Sequence, residues 1–201
     1  MKICMIGCGG IGSFLIDDLT ELCGMGQISP YNEFFVCDDD IVEVKNLSPY
    51  QNYIGTNCVG LNKAIQTAKR VNGKFSLNFV TAIPKRITKA KQLEDYDVIV
   101  LCVDNEKTRE LVIKFCFKKD RQFIDLRATG RKIFAMPKLD NLKDNMKFID
   151  KKDLNEYSCQ DKKDIKNGYI QKGHKIVAMI GVQMLLNILR GYNNRVIAMG
   201  V

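Results

Sequence analysis

The sequence predicts a single α/β domain built on a doubly wound, mainly parallel sheet, and three observations carry that prediction. A short apolar run near the N-terminus breaks directly into a glycine cluster and then into a helical stripe. Two later apolar runs end in acidic or polar clusters, and strand patterns alternate with helix patterns along the chain. At 201 residues the chain is long enough to bury a full core as one domain.

Ile3, Cys4, Met5 and Ile6 read as a buried first strand. It runs into Gly7, Gly9, Gly10 and Gly12, and then into Ser13-Phe14-Leu15-Ile16, where a helix begins. Strand, glycine turn and helix form the context in which this spacing means a phosphate cradle. Gly7 permits the tight turn, Gly9 lets backbone approach a phosphate, and Gly12 allows helix and strand to pack closely. The helix tip then presents N–H groups and the positive end of its dipole to an anion. The architecture expected is therefore Rossmann-like; a plain tight turn is the alternative reading of the same glycines.

Leu15, Leu19 and Leu22 continue the helical stripe, which should stop near Gly24-Met25-Gly26. Residues 34–37 form the second strand and end in Asp38-Asp39-Asp40, where a βαβ nucleotide fold binds ribose hydroxyls. The separation from Gly12 to Asp40 exceeds the usual spacing of about twenty residues, with the extra length in the turn 23–32. Residues 41–51 mix apolar anchors with polar tips, which suits a loop folded against the nucleotide face. Asn57 is the expected N-cap of a helix through Val59, Ala64, Ile65 and Ala68, ending at Asn72-Gly73. Lys63 on that helix reads, by itself, as a solvated lysine.

A third strand is expected over residues 75–82. Residues 97–103 are apolar almost without interruption, as in a central parallel strand covered on both faces, and they end at Asp104-Asn105. A helix over 108–117 and strands over 122–126 and 133–136 follow. In a doubly wound sheet such strand ends converge on one crevice, which Gly7–Gly12, Asp38–Asp40 and Asp104–Asn105 would line. Residues 1–136 thus read as a nucleotide-binding core, and residues 137–172 as a polar surface crossover. Residues 173–201 carry a helix, apolar nearly all round over 175–190, and a terminal strand. That helix should be buried in the core or at a subunit interface.

Composition narrows the class. A net charge of +8 admits nucleic acid or an acidic protein as partner, but the lysines are dispersed and no aromatic stacking platform accompanies them, which disfavours a nucleic-acid module. No window reaches the ~18 apolar residues of a membrane span, and the first strand starts at once, which predicts a cytoplasmic protein. Eight cysteines include no C-x-x-C pair and the chain has one histidine, so no structural zinc is expected and most thiols should be small core hydrophobes.

The ordered series Gly7-x-Gly9-Gly10-x-Gly12, Asp38-Asp39-Asp40-x-Val42, Asn46-Leu47, Gln51, Lys63 and Asp104-Asn105 resembles the MoeB/ThiF/HesA family, the adenylation fold of ubiquitin-activating enzymes. The likeness covers residues 2–136 closely and the final helix loosely. It implies an ATP-dependent adenylyltransferase that uses MgATP to activate the C-terminal carboxylate of a small ubiquitin-like or sulfur-carrier protein as an acyl-adenylate. By the same likeness Gly7, Gly9, Gly10 and Gly12 would hold the triphosphate and Asp40 would bind the ribose, with Asp38 also among the nucleotide-binding residues. Asn46 and Lys63 would touch phosphate oxygens, Gln51 would also bind the nucleotide, and Asp104 would hold Mg²⁺. Asn105 and Arg109 match the family's D-N-x-x-x-R and would be nucleotide-binding residues, and a homodimer is implied.

Two departures stand out. Where the family reads N-L-x-R-Q this chain has Asn46-Leu47-Ser48-Pro49-Tyr50-Gln51, without the arginine, and the resemblance starts at the first strand, so the family's preceding helix with its phosphate-binding arginine is not expected to contribute. Arg127, Arg131 or a lysine of 138–172 are the replacements the sequence offers. Cys159 lies roughly where relatives place a zinc or thioester cysteine; Lys162 and Lys163 could lower its pKa, and the alternative is an incidental surface cysteine. Two other functions compete: a degenerate ATP- or partner-binding module without catalysis, and an NAD-dependent oxidoreductase, for which no hydride-transfer acid is evident.

Overall fold

The computed structural model describes residues 1–75, 78–149 and 162–200. Strands β1 (Lys2–Ile6), β2 (Glu33–Cys37), β3 (Val80–Ile83), β4 (Val98–Leu101), β5 (Gln122–Thr129), β6 (Lys132–Pro137) and β7 (Ile197–Gly200) form one sheet. Its order is β3-β2-β1-β4-β5-β6-β7. The first five pair in parallel, and β6 and β7 add antiparallel to β5. The reversal of strand order at β1 and β4 marks the point where such sheets open a crevice at their carboxyl ends.

Period-two alternation sorts each strand's side chains between two layers. Ile3 and Met5 of β1, Val98 and Val100 of β4 and Ile124 and Leu126 of β5 face α1 (Gly12–Gly24), α2 (Lys63–Phe75) and α6 (Gly173–Leu189). Cys4, Ile6, Ile99, Leu101 and Phe123 face α3 (Glu106–Lys118) and the short α4 (Leu142–Met146). β4 is buried along its whole length, as its unbroken apolar run requires. Full burial of each such Leu or Ile stabilises the fold by roughly 1.5–3 kcal/mol.

The structure moves several expected boundaries. Residues 56–58 form a 3₁₀ turn, and α2 begins only at Lys63. Its cap is Asn62, not Asn57: Asn62 Oδ1 accepts the Ile65 N–H at 3.1 Å. α2 then runs on to Phe75, and the third strand starts at Val80. β5 extends to Thr129, past the expected end at 126. α6 is buried on its sheet-facing side, where Gly181 sits so close to Leu126 that an added Cβ would lie 2.4 Å from it, while Ile176 and Met179 are exposed on the other side. Within 137–172 the described residues include α4 and α5 (Lys162–Lys166). Cys159 lies outside the described residues. No helix among them is long and apolar enough to cross a membrane.

Candidate functional site

A cavity of about 810 Å³ opens at the carboxyl ends of the parallel strands. Gly7, Gly9 and Gly10 follow β1, Asp38 to Asp40 follow β2, Lys85 and Arg86 follow β3, and Asp104 and Asn105 follow β4. The loop after β2 adds Asn46, Tyr50 and Gln51, and α2 adds Lys63. The three segments that the sequence places at one crevice do meet there.

The glycines divide the work. Gly7 has φ of +99°, and an added Cβ would lie 2.6 Å from the Cys102 carbonyl, so the crossing of β1 and β4 admits only glycine. Gly12 does not line the cavity; its Cβ would fall 2.0 Å from Gly7 O, and its role is to let α1 close onto the turn. A Cβ at Gly9, by contrast, would meet nothing within 4 Å. It borders the open cradle, and the first turn of α1 beyond it has no side-chain cap.

Backbone bonds tie this turn to the acidic strand end. Asp38 accepts from Cys8 N–H at 2.7 Å and from Asp40 N–H at 2.9 Å. Burial raises the Asp38 pKa above the ordinary carboxylate range, opposed by those two donors and by Lys63. Asp40 remains half exposed and pairs at 3.0 Å with Lys63 Nζ, whose side chain is 9% exposed. A lysine desolvated to that degree needs an anion, so Lys63 is no solvated helix lysine. Tyr53 was not singled out by the sequence reading: its hydroxyl donates to Cys8 O at 2.7 Å and locks the 41–58 loop onto the glycine turn. Asn62 amide donates to Asp38 O and Asp40 O, at 3.0 and 3.2 Å. Neither of these links has a local sequence signal, because both act across tertiary distance.

Asn46 is buried, and its Oδ1 accepts from Glu43 N–H at 2.8 Å. Gln51 Oε1 is buried with no hydrogen-bond partner among the described residues. Asp104 is exposed at the cavity edge, and Asn105 caps α3 by accepting the Thr108 N–H at 2.9 Å.

Arg109 lines the cavity floor, but its charge is spent. It is 2% exposed, donating to Asp125 at 3.0 Å, to Glu106 at 2.8 Å and to Val103 O. Arg109 therefore fastens α3 to β5, which corrects its expected role as a direct nucleotide ligand. Asp125, fully buried, also accepts from Arg127 Nε and Nη2 at 2.9 and 2.6 Å. Arg127 reaches the cavity; Arg131 bonds Gln171 at 3.3 Å and does not line it. Lys45, Lys85 and Arg86 are cavity cations that sequence reading missed, and Arg86 Nε contacts both Asp39 oxygens at 3.1 and 3.0 Å.

The residues fit a magnesium nucleotide. The Gly9 cradle is open, the orphaned Gln51 oxygen can accept from a base amine or sugar hydroxyl, and Lys63 supplies a buried ammonium. Asp104 offers the hard oxygen donor that Mg²⁺ prefers. The buried cysteines Cys8 and Cys37 have pKa values pushed up by burial, to about 12 at Cys37, which leaves both thiols neutral and unreactive.

Known proteins share parts of this sequence and its fold. The chain is 34% identical over 114 residues to the sulfur carrier protein adenylyltransferase of Thermus thermophilus, covering 55% of this chain and 39% of that protein. It is 29% identical over 132 residues to the adenylyltransferase and sulfurtransferase MOCS3 of Xenopus laevis, 63% of this chain and 27% of that one. It is also 27% identical over 135 residues to the ATP-dependent ubiquitin transferase-like protein Cap2 of Enterobacter hormaechei, 65% of this chain and 21% of that one. The chain thus spans between 21% and 39% of the length of these relatives. Among solved structures, E. coli MccB with ATP superposes with a TM-score of 0.73 at 18% identity, over 100% of this chain and 60% of that one. PaaA superposes with 0.69 at 19% identity, over 100% and 64%. The ThiF family model matches residues 1–199, and the chain belongs to the ThiF family.

Proposed function

We propose that this protein is an ATP-dependent adenylyltransferase that activates the C-terminal carboxylate of a small ubiquitin-like or sulfur-carrier protein. The observation that carries the reading is the convergence of the Gly7–Gly10 turn, buried Lys63 and Asp104 on one cavity at the switch point of the sheet. In the reaction a carboxylate oxygen bonds the α-phosphorus, the bond to the β,γ-pyrophosphate breaks, and an acyl-adenylate and pyrophosphate result. The nucleophile is already ionised at neutral pH, so no general base is needed and the task is to hold two anions in line. Backbone N–H groups of the turn bind and orient phosphate oxygens. Lys63 exchanges Asp40 for a phosphate, and Asp40, so released, accepts from the ribose. Asp104 would hold Mg²⁺, which when bound neutralises phosphate charge. The arginine absent after Leu47 is matched by Lys45, Arg86 and Arg127 around the same cavity. In this reading the protein works as a cytoplasmic homodimer, and exposed Ile176 and Met179 on α6 support a partner copy there.

The test is ATP–pyrophosphate exchange with candidate carrier proteins. Exchange should require a carrier with a free C-terminus and fall by roughly 10²-fold or more in Asp104→Ala, because a ligand for transition-state charge is gone. A second reading, nucleotide binding without turnover, is favoured by the ion pairing that already engages Arg109 and Arg127. Tight ATP binding without exchange for any carrier would establish it.

A further inference from the structure

Beside the large cavity lies a second one of about 260 Å³. The two share the stretch Arg127, Ala128 and Thr129 at the end of β5, so anything held in one adjoins the other. The second is walled by Phe134 and Phe148, whose ring centroids lie 5.1 Å apart, with the Arg127 guanidinium 5.3 Å from the centre of the Phe134 ring. Arg127 is held in that place by Asp125 and by the Phe148 carbonyl, which accepts from Nη1 at 2.8 Å. Phe148 is 39% exposed, an uncovered aromatic at the mouth of a small recess, and cationic Lys132 stands beside it. The volume is below that of an ordinary small-molecule site and has room for one or two side chains.

We propose that this recess is a side-chain subsite for the polypeptide tail whose carboxylate reacts in the large cavity, and that it selects an apolar residue close to that terminus. The inference rests on the nucleotide reading of the large cavity. Continuity supplies the geometry: a tail with its carboxylate beside the nucleotide reaches the recess across Arg127–Thr129. Charge supplies the polarity, since exposed Lys132 beside the recess favours the anionic end of a chain, Arg127 being already paired with Asp125. Apolar contact supplies the selection, because only a side chain of some size covers Phe134 and Phe148. A tail of glycines alone would leave both rings uncovered.

The experiment uses the full chain and short fluorescein-labelled peptides, read by anisotropy with a non-hydrolysable ATP analogue present. The peptides end in four glycines, or carry one leucine at the last, second-last or third-last position, each as free acid and as amide. At one leucine position the acid should bind about 10-fold tighter than the all-glycine acid, the discrimination a small apolar pocket provides. Its amide should bind more weakly. Phe148→Ala should erase the leucine preference and Phe148→Leu should keep it, with nucleotide affinity unchanged in both, since the tie to Arg127 is through the backbone. Equal binding of leucine and glycine acids, a preference that survives Phe148→Ala, equal binding of amides, or nucleotide binding with no peptide bound at all would each overturn the proposal. Leucine preference without any nucleotide binding would instead retain the recess and sink the adenylyltransferase reading.

Discussion

The two ends of the crevice are built from different materials. Around β1 and β2 the site is made of backbone: glycines at contact distance, and N–H groups of residues 8 and 40 held by Asp38. Around β4 and β5 it is made of buried side-chain charge, with Glu106, Arg109 and Asp125 under 10% exposed and Arg127 at the rim. The first end takes its shape from the absence of Cβ atoms and tolerates no bulk at two positions. The second takes its shape from ion pairs that are costly to desolvate and worse to leave incomplete. Rigidity at a binding site can thus come from steric exclusion or from charge that has nowhere else to go.

Breaking the charged end should have the largest effect. Asp125→Ala leaves two guanidinium groups without their shared acceptor, one of them fully buried, and should cost about 3–5 kcal/mol by urea denaturation. The glycine end should yield to a smaller probe: Gly12→Ala should cost about 3 kcal/mol, because its Cβ meets the Gly7 carbonyl. Gly9→Ala is the matched control, expected to change stability by less than ~0.5 kcal/mol while weakening ATP binding in calorimetry. Equal destabilisation by the two alanines would overturn the division between them.

An effect smaller than either break concerns the helix that joins the two ends. His174 opens α6, buried against Phe14 of α1 with ring centroids 5.5 Å apart, and neighbouring Gly173 abuts Gly130 between β5 and β6. Burial, with Lys175 and Lys172 nearby, lowers its pKa from 6.5 to about 4. Below pH 6.5 the unfolded chain therefore binds a proton that the folded chain excludes, and stability falls as pH drops toward 4. The loss between pH 7 and pH 4.5 should be on the order of 2 kcal/mol. His174→Gln should flatten that part of the urea-midpoint profile, and an unchanged profile would remove His174 as its source.

Much of the site was legible because its signals are local. Strand, glycine turn and helix are adjacent in the chain, as are β2 and its three aspartates, and the backbone does not need distant residues to form them. Lys63 shows where such reading stops. Alone it is a helix lysine; only the packing of α2 under the acidic strand end removes it from water and gives it Asp40. Arg109 errs the other way, since a motif match pointed it at the nucleotide while Asp125, sixteen residues on, captures it.

By itself the sequence determined the order of the strands' chemistry: which ends carry glycine, which carry acid, and that the middle strand is covered on both faces. These follow from side-chain size and period along one element. The partners of each charge were decided only in three dimensions. Tyr53 on Cys8 O, Arg127 between two cavities and Asp125 between two arginines depend on elements brought together by the sheet's crossovers. An ion buried among them pairs with whatever that packing leaves within reach.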